Sequence, residues 1–152
     1  MTHVLFCHGA EDRLLATTRW LLQAVATSAH LPPVCATLYL PDDAQAQQLG
    51  ALLWSLEPGS FLPHCPADAP LADQTPLLIA RSAQELERSP RTDLLINLTD
   101  ELPPHLGRFT QLVEIVSQDA QQREQARERV RHYREHQHPV QFRDLQQDPF
   151  PS

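Results

Sequence analysis

The sequence predicts an α/β fold: a single domain of three layers, α/β/α, Rossmann-like, with a mainly parallel central sheet. Three observations predict it. Short apolar runs, among them "VLF", "TLYL", "LLIA" and "LLINL", recur along the chain, and near-continuous apolar runs mark strands buried on both faces. Helical patterns alternate with several of these runs, as βα units require. The 14 prolines fall almost wholly between the segments, where a missing N–H and a fixed φ do least harm.

The elements follow in order. "THVLFCH" opens as a buried strand. In "EDRLLATTRWLLQAVATSAH", Leu14, Leu15, Thr18, Leu21, Leu22 and Val25 recur at helical spacing, and Glu11 and Asp12 suit the positive end of a helix dipole. "LPPVCATLYLP" is a strand between prolines, and "DDAQAQQLGALLW" is a helix started by an Asp cap. "FLPH" is a short extended piece. The proline-rich "PADAPLADQTP" leads into the strand "LLIA", and "RTDLLINLTDELPP" holds another apolar run. "RFTQLVEIVS" gives a short helical lead and a strand, and "QQREQARERVRHYREHQ" is the last helix. Residues 1–137 read as one domain, and 138–152, "HPVQFRDLQQDPFPS", as a C-terminal tail.

Composition excludes several function classes. A hydrophobic fraction of 41% and a charged fraction of 20% are those of a soluble globular protein. No apolar run approaches the roughly 18 residues that cross a bilayer. "MTHVLFCHGAEDR" lacks the pattern of a signal peptide, so a cytoplasmic protein is expected. Cys7, Cys35 and Cys65 form no CxxC and read as free thiols. The four glycines stand in neither GxxxxGK[ST] nor GxGxxG, and the chain has no lysine. No nucleotide cofactor is therefore expected.

Two patterns suggest metal. His132, Glu135 and His136 match H-x-x-E-H, which would make the chain a small α/β metal-dependent hydrolase if a third ligand followed. His3, Cys7, His8, His64 and Cys65 match no known finger spacing. Histidines on a solvated helix and ordinary buried or turn residues are the simpler readings, and no metal site is expected. No G-x-S-x-G elbow is present.

The charge distribution is more informative. The net charge is -7, yet Arg123, Arg127, Arg129, Arg131 and Arg134 face only Glu124 and Glu128 over twelve residues. A general nucleic-acid binder carries a broad basic surface, and confinement to one helix suggests a small anionic group instead. At about 100° per residue, Arg127, Arg131 and Arg134 fall within about 80° of Arg123 on one side. Val130, Ala126 and Tyr133 lie beside this stripe, and Arg129 points elsewhere. Glu124 and Glu128 sit where they pair with Arg127 and Arg131. A cationic rail next to an apolar strip suits an acidic peptide end with a free carboxylate and a large apolar residue. A solvated helix laced with Glu–Arg pairs is the bland alternative.

A second candidate surface is "LGALLWSLEPGSFLPH". Leu52, Leu53, Trp54, Leu56, Phe61, Leu62 and Pro63 are many large apolar groups for one helix end and its loop. Either several are core, or Trp54 and Phe61 anchor another protein.

Together, "ALLWSLEPGSFLPH" (Ala51–His64), "RTDLLINL" (Arg91–Leu98), "FTQLVEIV" (Phe109–Val116) and "QARERVRHYR" (Gln125–Arg134) resemble the chi subunit family of the bacterial DNA polymerase III holoenzyme. The resemblance implies a non-catalytic α/β protein. Chi pairs with the psi subunit, which ties it to the clamp loader. It also binds the acidic C-terminal tip, ending in Pro-Phe, of the single-stranded-DNA-binding protein (SSB). Some members pair with a DinG/XPD-like helicase through the psi-binding surface, and DNA is met only indirectly, through SSB. Carried over by position, the tip-binding residues are Val116, Arg123, Arg127, Val130 and Arg131, and the psi-facing ones are Trp54, Phe61 and Pro63. Position 130 is Val where relatives can carry an aromatic, and arginines stand where lysines can occur. The ending "DPFPS" (Asp148–Ser152) loosely resembles the tip itself.

Overall fold

The computed structural model describes residues 2–27, 35–55 and 63–146. Seven strands form one sheet: β1 (His3–Ala10), β2 (Ala36–Tyr39), β3 (His64–Pro66), β4 (Leu77–Ala80), β5 (Leu94–Asn97), β6 (Gln111–Ser117) and β7 (Val140–Asp144). Their order is β3-β4-β2-β5-β6-β1-β7, and every pairing is parallel. Among the described residues four α-helices connect them: α1 (Arg13–Thr27), α2 (Asp43–Ser55), α3 (Ala83–Arg88) and α4 (Ala120–Glu135).

Each helix starts at a side-chain cap, because the first backbone N–H groups of a helix have no partner within it. Asp12 Oδ1 accepts from Leu15 N–H (3.1 Å) and Asp42 Oδ1 from Gln45 N–H (3.0 Å). Ser82 Oγ accepts from Glu85 N–H (3.2 Å) and Asp119 Oδ2 from Gln122 N–H (3.0 Å).

Alternation along the strands feeds two apolar layers. On one face, Leu14, Trp20 and Leu21 of α1 and Leu49 and Leu53 of α2 pack on Cys7, Leu38, Ile96, Val113 and Ile115. On the other, Leu86 of α3 and Tyr133 of α4 pack on Val4, Leu78, Leu95 and Leu112. Ala126 and Val130 of α4 cover Phe6 and Val116. The result is the expected α/β/α arrangement in one domain.

Two elements differ from the sequence expectation. The six-residue α3 is too short to carry a helical period, so "SAQELER" reads as connection. The segment from 138 onward, expected as a tail, supplies the edge strand β7, which pairs with β1 in the register Val4↔Val140 and Phe6↔Phe142. Its polar "VQFRD" hides it, since an edge strand is half solvated. Asp148–Ser152 lies outside the described residues.

Candidate functional site

Helix α4 is fixed in rotation by a buried polar cluster. Glu114, in the apolar run of β6, is wholly buried and shares its face with Leu112 and Val116. Its carboxylate accepts from Arg129 Nε (2.9 Å) and Nη2 (3.3 Å), from the Tyr133 hydroxyl (2.5 Å) and from Asn97 Nδ2 (3.2 Å). Arg129 and Tyr133 are one turn apart on α4, so two tethers reach one acceptor. Burial, reinforced by the Glu114 carboxylate, pushes the Tyr133 hydroxyl far above the usual tyrosine range. For Arg129, burial pulls the pKa down and Glu114 pulls it up; the balance is upward, so the guanidinium stays charged.

With Arg129 turned inward, the other four arginines face out along a groove of about 700 Å³. Its floor is Phe6 of β1, Val116 of β6 and Val130 of α4, each at most 8% exposed. Arg123, Arg127, Arg131 and Arg134 line it from α4, and Phe142 from β7. Val116, Arg123, Arg127, Val130 and Arg131, singled out in the sequence, thus share one concavity.

The rail is available to a ligand. Arg127 lies 3.8 Å from Glu124 and Arg131 3.5 Å from Glu128, the pairs expected from helical spacing. Both arginine side chains remain about two-thirds exposed (68% and 67%), and such loose surface pairs yield readily to a competing carboxylate. Arg123 and Arg134 have no carboxylate partner among the described residues. The groove therefore offers forked donors above an apolar floor, which matches a carboxylate attached to a large apolar side chain.

Phe6, His8 and Phe142 line the same groove; the sequence reading assigned none of them to it. Phe6 and His8 belong to the first strand, whose neighbours cannot be read locally. Phe142 sat in the presumed tail.

The second candidate surface is described in part. Trp54, on the last turn of α2, is 67% exposed, whereas Leu53 is 2% exposed and core. Pro63 is exposed beside β3. Phe61 lies outside the described residues. The His132 and His136 rings stack at 4.0 Å, and His136 Nδ1 lies 2.9 Å from the His132 carbonyl. Among the described residues no three His, Cys, Asp or Glu side chains converge as a metal set. His64 and Cys65 lie on the edge strand β3, with four strands between it and β1, so they cannot meet His3, Cys7 and His8.

Comparison with known proteins gives consistent results. Residues 1–141 match the family described as DNA polymerase III chi subunit, HolC. The chain is 35% identical over 104 residues to the DNA polymerase III subunit chi of Pseudomonas aeruginosa, covering 68% of this chain and 70% of that one. It is 35% identical over 92 residues to the DNA polymerase III subunit chi of Haemophilus influenzae, covering 60% of this chain and 62% of that one.

Proposed function

The chain belongs to the DNA polymerase III chi subunit family, and on that premise we propose that it is a non-catalytic adaptor joining the replicase to SSB-coated DNA. In this reading the α4 groove holds the acidic C-terminal tip of SSB, and the surface around Trp54, with Phe61 and Pro63, docks the psi subunit of the clamp-loader complex. A DinG/XPD-like helicase is a rival occupant of the psi surface. DNA is reached only through SSB, and the site of action is cytoplasmic.

The observation that carries the proposal is the gathering of Val116, Arg123, Arg127, Val130 and Arg131 around one groove. Arg131 or Arg127 holds the terminal carboxylate of the tip. Val116 and Val130 receive its phenylalanine, and the remaining arginines meet its aspartates. Guanidinium forks suit a carboxylate because two parallel N–H bonds fit its two oxygens.

The test is titration of the full chain with a labelled peptide ending in Asp-Ile-Pro-Phe, with a free or an amidated C-terminus. The free form is expected to bind at least about tenfold more tightly, the scale of a charge-assisted hydrogen bond. Equal affinity for the two forms would remove the carboxylate clamp and the adaptor reading with it.

A further inference from the structure

The five residues assigned to the tip are three arginines and two valines, and two valines make a shallow aliphatic pocket. The groove contains more. Phe142 projects from β7 with half its surface (51%) exposed, so its ring is not spent on the core. It meets Phe6 edge-on, with ring centroids 5.6 Å apart and planes at 60°. On the ring's other contact, the Arg134 guanidinium carbon lies 5.2 Å from the ring centroid, a cation–π contact.

An exposed phenyl at a sheet edge ordinarily swings among rotamers. Here one neighbour is an aromatic of the floor and the other a guanidinium from the helix above. The ring, contacted on both sides, lines the same groove as Val116 and Val130. Arg134 therefore differs from the other rail arginines: it braces an aromatic as well as adding charge.

We propose that Phe142, braced by Phe6 and Arg134, is the specificity-determining wall of the groove, making it select an acidic peptide whose last residue is aromatic over one whose last residue is aliphatic. This deepens the peptide-end reading and depends on it. Charge complementarity commits the occupant: the rail takes the carboxylates, and the aromatic wall takes the terminal ring. Edge-to-face or offset packing then adds to the ordinary burial of that ring. β7 is in this way part of the binding surface, and Arg134 is a positioning residue.

The experiment measures the affinity of the full chain for two labelled peptides, one ending Asp-Ile-Pro-Phe and one ending Asp-Ile-Pro-Leu, by fluorescence anisotropy. Wild type is expected to prefer the Phe end by roughly three- to tenfold, the scale of one aromatic pair. Phe142→Leu should reduce that preference to under about twofold, by weakening the Phe-ended peptide more than the Leu-ended one. Phe142→Tyr should keep it. If Phe142→Leu melts early, Arg134→Gln leaves the ring in place without its brace; it should weaken both peptides and also narrow the preference. A wild-type chain that binds both peptides equally, or a folded Phe142→Leu variant that retains the full preference, overturns the aromatic wall alone. Failure of wild type to bind either peptide overturns the peptide-end reading together with it.

Discussion

Arg129 of α4 and Glu114 of β6 form an ion pair inside the protein, Nε to Oε2 at 2.9 Å, with the two side chains 3% and 0% exposed. A buried pair of this kind stabilises little against an apolar substitute, but breaking it strands a charge. Its value here is geometric: it turns one arginine of the helix inward, and the helical period then sets the remaining four along the groove.

Arg129→Met should therefore cost about 3–5 kcal/mol of unfolding free energy, measured by urea titration. Adding Glu114→Gln to that variant removes the stranded charge while keeping acceptors for Tyr133 and Asn97. More than half of the loss should return. A double variant as unstable as the single one would show that the charge pair is not the cause.

Arg131→Ala should leave folding within about 0.5 kcal/mol of wild type, because it is a surface position with one loose partner. Binding of the SSB-tip peptide should fall by about tenfold or more, the worth of a hydrogen bond to a charged group. Added salt should weaken wild type more steeply than the variant, since exposed charges are screened over about 10 Å at 0.1 M. Undiminished binding in anisotropy would refute the assigned clamp.

Trp54→Ala removes a side chain that is 67% exposed, and stability should change by less than about 1 kcal/mol. Co-elution with psi in size-exclusion chromatography should be lost, with tip binding intact. Full retention of psi would place the docking surface elsewhere. Phe61→Ala should likewise weaken psi binding while sparing the tip.

Cys7 is wholly buried, and burial pushes its thiol up to about 12, against a smaller opposing influence of Arg143. The thiolate is the reactive form, so at about pH 8 almost none is present in the folded protein. Iodoacetamide should leave Cys7 unmodified in native protein and label it in urea, read by peptide mass spectrometry. Native labelling of Cys7 as fast as Cys35 and Cys65, which are partly exposed, would contradict its burial.

Several features were legible before any coordinates. The Asp cap of α2, the acids at the start of α1, the helical phase of the arginines and the pairs Glu124–Arg127 and Glu128–Arg131 are all local, set by residues within about one turn of each other. The Glu114–Arg129 pair left a partial trace: an acid inside "LVEIV", and an arginine beyond Tyr133 on the core side of the helix. Each looks anomalous alone, and only their proximity accounts for both. Helix α3 and strand β7 were not legible, the first because six residues carry no period, the second because an edge strand needs few apolar residues.

The sequence by itself determined the α/β class, the three longer helices and a cationic stripe with an apolar strip beside it, because hydrophobic period and capping act over one or two turns. Only the tertiary structure decided what the stripe faces. The sheet order sets the first strand between β6 and β7, so Phe6, Val116 and Phe142, far apart in the chain, become the floor and wall beneath one helix. Strand adjacency follows from long-range packing and crossover geometry, and no local pattern in the residues encodes it.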